Sequence, residues 1–385
     1  MNQSANESLQ EALDKRKEKS LYRCLQPEND FADFCSNDYL SFSRSAIAHS
    51  ALSSYGQSVT RLNGATGSRS ISGNTSCAEQ LEQMLADFHH AEAGLIFNSG
   101  YDANLGLFSC IAGKNDTLIS DELIHASIID GSRLSYATRY RFAHNDVDDL
   151  IRKLKIAGQN SGTPGGQIFV AVESVYSMDG DMAPLQEIAA LCKRYQANMI
   201  VDEAHATGVF GRQGRGVVNH YGLEDQVFAR IHTFGKAIGA HGAIIVGSNV
   251  LRNYLINFAR SFIFTTALPV HSLIAVRCAY ERLMNEDFST EHLHQLIALF
   301  KERFPFNKDI YLVESNSPVQ SLIIPGNERA KAISQQLQDR GLDVRAILSP
   351  SVPAGKERLR ISLHMHNTFE EVERLKQALN ELLEQ

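Results

Sequence analysis

The sequence predicts an α/β protein with a large domain on a mostly parallel sheet and a smaller C-terminal α+β domain. Two observations lead there. From about residue 77 to residue 280, short apolar runs alternate with segments whose apolar residues recur at helical spacing. Strand–helix alternation of that kind implies a parallel sheet covered on both faces. Past residue 280 the texture changes, and helical stretches surround a few short strands. At 385 residues the chain is long enough for both units and a large core.

Taken in order, residues 4–22, rich in Glu, Lys and Leu, read as a helix, and Phe31–Phe34 as a candidate strand. Cys77–His90 carries Leu81, Met84, Leu85 and Phe88 at helical spacing. Ala93–Asn98, Asp116–Ser120, Gln167–Glu173, Asn198–Asp202 and Gly242–Gly247 are buried-strand candidates, with helical stretches such as Pro184–Tyr195 between them. Gly158–Gly166 reads as a loop within the same domain, because the alternation resumes after it. Near the end, helices are expected over 290–303, 327–341 and 368–384, and strands over 310–313, 318–324 and 357–363. The expected division is 1–45 for an N-terminal helix and segment, 46–280 for the large domain and 281–385 for the small one.

The net charge of -7, from 37 basic and 44 acidic residues, argues against nucleic acid or an anionic membrane as the main partner. No apolar run approaches the ~18 residues of a membrane span. Met1 to Lys19 lacks the apolar core of a signal peptide. The six cysteines are scattered with no C-x-x-C pair, so reduced thiols in a cytoplasmic protein are expected.

The chemistry gathers around two runs, Val201-Asp-Glu-Ala-His205 and His232-Thr-Phe-Gly-Lys236-Ala-Ile-Gly-Ala-His-Gly242. A lysine in a small-residue turn can form a Schiff base with an aldehyde cofactor, and an aspartate ending a buried strand can keep a pyridinium nitrogen protonated. Pyridoxal 5'-phosphate uses both groups. Ser99-Gly-Tyr-Asp-Ala-Asn104 follows another strand; Gly100 lets the backbone approach an anion, and a helix starting there points free N–H groups at it. His125 can stack on a flat ring or serve as a hydrogen-bonded core histidine. Ser177 can be a site residue or simply a turn residue before Asp179-Gly180.

Two other readings of Asp202 to His205 compete. The letters D-E-A-H suggest a helicase ATPase, but such a protein also needs G-x-x-x-x-G-K-[ST]. Gly113-Lys114 precedes Asn115 and Gly235-Lys236 precedes Ala237, so neither pair qualifies. A metal hydrolase would use Asp202 and His205 as ligands, yet no second cluster has clear ligand spacing, and no metal is expected.

Six ordered runs carry a family resemblance: Ser36-Asn-Asp-Tyr-Leu40, Ser99-Gly-Tyr101, Val175-Tyr-Ser-Met-Asp-Gly-Asp181, Val201-Asp-Glu-Ala-His-Ala-Thr-Gly208, Thr233-Phe-Gly-Lys236 and Phe264-Thr-Thr-Ala-Leu-Pro269. From about residue 10 onward the chain resembles the α-oxoamine synthases, the acyl-thioester-dependent branch of the fold-type I pyridoxal phosphate enzymes. Arg141-Phe-Ala-His-Asn-Asp146 and Pro350-Ser-Val-Pro-Ala-Gly355 mark one member of the family over its siblings. The resemblance implies a sheet of the seven-stranded type and a homodimer. It implies that Lys236 carries the cofactor and moves the α proton, Asp202 pairs with the pyridine nitrogen, His125 stacks over the ring, His205 contacts the ring oxygen and Ser177 lies nearby. Gly100, Tyr101 and Thr233 would hold the phosphate, with Thr265 or Thr266 reaching it from a neighbouring subunit. Asn37 and Arg360 would bind the amino-acid carboxylate. Arg23 and Ser351 would line the path of an acyl thioester, carried on coenzyme A or an acyl carrier protein.

Overall fold

Runs of Val, Ile, Leu and Ala that carry little charge into the interior collect into one central sheet. The computed structural model of the protein describes residues 4–19, 21–45, 63–160, 166–302 and 310–384. After a short strand β1 (Ala32–Asp33) come β2 (Ala93–Phe97), β3 (Thr117–Asp121), β4 (Thr138–Phe142), β5 (Ile168–Glu173), β6 (Asn198–Asp202), β7 (Ala229–Thr233) and β8 (Ala243–Gly247). The last seven form one sheet in the order β2-β8-β7-β6-β5-β3-β4. All its ladders are parallel except those of β8, which runs antiparallel to β2 and β7.

Every residue of β5 is buried, because both faces of the sheet are covered. Alternate side chains enter opposite layers. Val170, Val172, Met199 and Val201 join one apolar cluster with the helices Val147–Asn160 and Leu185–Arg194. Phe169, Ala171 and Ile200 join the other with Gly100–Cys110, Ala126–Leu134 and Asn249–Phe258. The carboxyl ends of β3, β5, β6 and β7 therefore open on one edge between two helical layers.

The remaining strands are β9 (Tyr311–Leu312), β10 (Val319–Ile323), β11 (Leu342–Asp343), β12 (Arg345–Ile347) and β13 (Arg358–Ser362). Four of them form an antiparallel sheet, β12-β13-β10-β9, with Asn327–Asp339 and Phe369–Leu383 packed nearby. The last helix starts at a capping box, in which the Thr368 hydroxyl accepts from Glu371 N–H and the Glu371 carboxylate accepts from Thr368 N–H. β1 pairs in parallel with β11, so the segment before Leu40 packs against the C-terminal unit.

The structure adds elements the periodicity did not show. β7 carries Arg230 and His232, polar residues that are nonetheless buried, and β4 is an edge strand reading Thr-Arg-Tyr-Arg-Phe. Neither looks like an apolar run. β11 and β12 are too short for a period to register. The loop expected over 158–166 starts later, since the helix from Val147 continues to Asn160, and residues 161–165 lie outside the described residues. Among the described residues no helix is long and apolar enough to cross a membrane.

Candidate active site

In an open α/β sheet, functional groups collect where strands end at their carboxyl edge. Glu173 and Asp202 close β5 and β6, pair across the ladder, and are both buried. The Asp202 carboxylate accepts from Asn104 Nδ2 at 2.7 Å and from Ala204 N–H at 2.9 Å. Asn104 stands one turn into the helix that Gly100 opens, and its second amide hydrogen reaches Ser127 Oγ at 3.0 Å. Ser127 Oγ is 2.7 Å from His125 Nδ1, which fixes the plane of that ring. One side-chain amide thus ties the helix start, the strand end and the His125 turn together. Burial, then the neighbouring Asp202, push the Glu173 carboxyl up to about 8, while Lys236 opposes the shift.

Lys236 lies in the turn after β7. That turn is tight because Gly239 takes a positive φ of 62°, and a Cβ there would stand 2.2 Å from Ser43 N. Lys236 Nζ is 2.8 Å from His205 Nε2, and His205 Nδ1 is 2.7 Å from Tyr39 OH. Tyr39 OH donates to Asn37 Oδ1 at 3.0 Å, and Arg360 Nη2 donates to the same oxygen at 2.9 Å. One tautomer satisfies the chain: Nε2 accepts from the amine and Nδ1–H donates to the tyrosine. Burial and then the Lys236 charge hold His205 well below the usual imidazole range, so it is neutral. Burial also lowers Lys236, to about 8, against the pull of Asp202 and Glu173. Arg360 Nε donates to Ser177 O at 2.7 Å, and its Nη1 to Ser362 Oγ at 3.1 Å.

Across the edge, Ser99 caps the Gly100–Cys110 helix by accepting from Asp102 N–H. A Cβ on Gly100 would lie 3.2 Å from Thr233 Oγ1, so the helix start and this hydroxyl face each other closely. Free N–H groups beside a hydroxyl make a cradle suited to a phosphate. The Tyr101 ring meets His125 edge-on, with centroids 6.4 Å apart, and its hydroxyl bonds Asp130.

The sequence-predicted residues thus fall into three places. Lys236, Asp202, His205, His125, Ser177, Gly100, Tyr101 and Thr233 share the carboxyl edge of the sheet; Arg360 joins it from the C-terminal unit, and Asn37 from the N-terminal segment packed on that unit. Arg23 and Ser351 pair at 3.4 Å on a cleft of about 350 Å³ that also touches Met178, the residue after Ser177. Thr265 and Thr266 are engaged with Asn98, whose amide donates to Thr265 Oγ1 at 2.8 Å and to Thr266 O at 2.9 Å. Among the described residues one group has ligand atoms close enough for a metal, Asp33, His364 and His366. It does not include Asp202 or His205, and Arg44 already pairs with its carboxylate.

Sequence reasoning passed over Asn104, Tyr39 and Glu173. Asn104 had a readable signal, standing four residues beyond Gly100 and so on the same helix face. Glu173 had another, an acid ending the apolar run from Ile168. Tyr39 lies in the Ser36–Leu40 run, but only the fold brings it to His205.

Residues 29–379 match the family described as aminotransferase class I and II. The 8-amino-7-oxononanoate synthase of Emericella nidulans is 43% identical, with 97% of this chain and 94% of that one covered. The enzyme of the same name from Marinobacter nauticus is 39% identical over 95% and 94%. Among solved structures, Sphingomonas wittichii serine palmitoyltransferase superposes with a TM-score of 0.81 at 32% identity, covering 91% and 86%. The 8-amino-7-oxononanoate synthase of Francisella tularensis superposes at 0.75 and 29%, covering 93% and 99%. On this evidence the chain belongs to the aminotransferase class I and II family and, within it, to the α-oxoamine synthases.

Proposed function

We propose that the protein condenses L-alanine with a pimeloyl thioester, with loss of carbon dioxide and release of the carrier thiol, to give 8-amino-7-oxononanoate for biotin synthesis. The observation that carries this reading is the convergence of Lys236, Asp202 and the Arg360–Asn37 pair on one sheet edge, in a chain whose similar relatives are named for that product. The cofactor is pyridoxal 5'-phosphate, which when bound supplies an electrophilic aldehyde carbon and a ring that takes up electron density.

The residues present suit it. Asp202 is a buried carboxylate with no cation within 4 Å among the described residues, which suits a protonated ring nitrogen. Gly100, Tyr101 and Thr233 offer N–H and hydroxyl donors to the phosphate. His125, its plane set by Ser127, would stack over the ring, and His205 and Ser177 would border it. Lys236 would hold the cofactor covalently and, when released, serve as base: burial lowers its affinity for protons, so a useful fraction of Nζ is neutral near pH 7 to take the α proton of alanine. His205 Nε2, neutral and accepting, keeps that amine aimed. Arg360, supported by Asn37, binds the amino-acid carboxylate through charge-assisted hydrogen bonds. Arg23 and Ser351 border the acyl path, and the thioester is carried on coenzyme A or an acyl carrier protein. The functional unit is a homodimer in which Thr265 or Thr266 reaches the neighbour's phosphate.

A second reading is another α-oxoamine synthase, of serine palmitoyltransferase or glycine C-acetyltransferase type; the superposition on serine palmitoyltransferase speaks for the first of these. Comparing kcat/KM for alanine with pimeloyl thioester, serine with palmitoyl-CoA and glycine with acetyl-CoA separates them. Alanine with pimeloyl thioester should be preferred, with some leakage, because a pocket fitted to one methyl discriminates by only ~1–3 kcal/mol. Preference for either other pair overturns the assignment to alanine and pimelate.

A further inference from the structure

The turn from Val175 to Met182 lies where the main sheet meets the four-stranded sheet, and it is held from both sides. On the main-sheet side, His144 Nε2 bonds Asp181 Oδ2 at 2.7 Å, and Nδ1 bonds Asp121 Oδ1 at 3.0 Å. Asn145 reinforces both contacts: its N–H donates to Asp121 Oδ2 at 2.9 Å and its Nδ2 to Asp181 Oδ2 at 2.8 Å. The Tyr176 ring meets His144 edge-on, with centroids 4.5 Å apart. On the other side Arg358 pairs with Asp179, Ser321 Oγ donates to Met178 O, and Ser315 Oγ donates to Gly180 O at 2.8 Å. Gly180 leaves no slack, since a Cβ there would stand 2.1 Å from Val319 O at a φ of 75°.

An imidazole with a carboxylate on each nitrogen carries both N–H groups. Burial opposes that charge, but the bonds to Asp121 and Asp181 overcome it and push His144 up to about 10. The ring is therefore a fixed cation behind two walls of the site. Asp121 also accepts from Leu123 N–H at 2.8 Å, two residues before His125, while Asp181 ends the turn that presents Ser177. Of the groups that accept from Arg360, Asn37, Tyr39 and Ser362 belong to the C-terminal unit or the segment packed on it. The Ser177 carbonyl belongs to the main-sheet unit that holds Lys236 and Asp202.

We propose that His144 is a positioning residue for the amino-acid substrate: by holding Asp181 it sets the Ser177 carbonyl, and that carbonyl aims the Arg360 guanidinium at the substrate carboxylate. This inference rests on the assignment of Arg360 to that carboxylate.

The test uses the cofactor-loaded enzyme and its His144→Gln, Arg360→Lys and doubly substituted variants. Alanine affinity is measured by calorimetric titration without thioester, and KM for the thioester separately. His144→Gln should weaken alanine about tenfold, the scale of one misaligned charge-assisted hydrogen bond, and leave the thioester KM within about twofold. In the Arg360→Lys background the same change should cost less than about twofold, because its effect passes through the guanidinium. Equal losses for alanine and thioester, or full additivity in the double variant, overturn the inference. If Arg360→Lys binds alanine normally, the carboxylate assignment and the inference fall together; if it binds poorly while His144→Gln binds normally, only the inference falls. Should His144→Gln not fold, Asp181→Asn, which keeps the shape and weakens the same contact, is read by the same criteria.

Discussion

Replacing Asp202 with Asn removes one negative charge and almost no volume. In the parent, Oδ1 takes the Ala204 N–H and Oδ2 takes the Asn104 amide. The variant's carbonyl oxygen can keep the backbone bond, but its NH2 then faces the NH2 of Asn104. Turning Asn104 over relieves that conflict and employs its Oδ1, which has no partner in the parent, at the expense of the bond to Ser127. The cost to the fold is therefore about one neutral hydrogen bond, ~1 kcal/mol. The cost to chemistry is larger. A charge contact at about 3 Å, in surroundings of effective dielectric about 20, is worth ~5 kcal/mol. A neutral amide keeps only a part of that, leaving a loss of ~4 kcal/mol, or about a thousandfold in rate. The assay pairs steady-state kcat/KM for alanine and pimeloyl thioester with exchange of the alanine α hydrogen in heavy water and a melting curve. Near-parent melting with exchange and turnover about a thousandfold slower is expected. Turnover within about tenfold of the parent at full cofactor loading would refute the assignment of this carboxylate to the ring nitrogen.

Lys236→Ala should fold yet hold its cofactor only non-covalently; borohydride treatment and peptide mapping of the parent should mark Lys236, and a mark on another lysine sinks the assignment. Sedimentation at assay concentration should find a dimer, and a fully active monomer would contradict the role given to Thr265 or Thr266. His144 makes a pH prediction. Its affinity for protons is raised from the usual imidazole value to about 10, so its stabilisation is complete below about pH 6.5 and is lost as pH climbs toward 10. The melting-temperature gap between the parent and His144→Gln should be widest below about pH 6.5 and narrow steadily from there toward pH 10; a gap that widens with pH would show that Asp121, Asp181 and the nearby Glu122 do not hold an imidazolium.

What could be read beforehand depended on whether a residue's environment is written in its neighbours. Ile168 to Glu173 and Asn198 to Asp202 were legible because strands buried on both faces are apolar throughout. Ala229 to Thr233 was not, although it leads directly into Lys236, because Arg230 and His232 broke the pattern. Both are satisfied, at least in part, by distant groups: Arg230 donates to His90 O, and His232 Nδ1 lies 2.8 Å from Thr207 Oγ1. The meeting of Lys236 and Asp202 was legible because each ends or follows a strand whose carboxyl edge a parallel sheet collects on one side. The path from Lys236 through His205 and Tyr39 to Arg360 was not, because it joins residues far apart in sequence, and no local period encodes a tertiary hydrogen bond. Equally hidden was the link between Asp33 or Phe34 and Asp343, since strands this short are specified by packing and not by propensity.

That pairing of β1 with β11 bears on how the protein is made. Phe34, Tyr39 and Leu40 are almost wholly enclosed in the finished molecule, and their cluster includes Leu342, Leu359, Ile361 and Leu363. A ribosome emits the first group long before the second; at about 5–20 residues per second, the roughly 300 intervening residues take on the order of 15–60 s. For that interval these side chains lack the part of their covering that the C-terminal unit supplies. The main sheet, which is complete by Gly247, can form in the meantime, but the corner that holds Asn37 beside Arg360 cannot. The amino-acid-binding corner is thus the last part of the nascent enzyme to mature, and a ribosome stalled before residue 342 leaves a chain with its central sheet and an N-terminal segment whose apolar side chains are only partly covered.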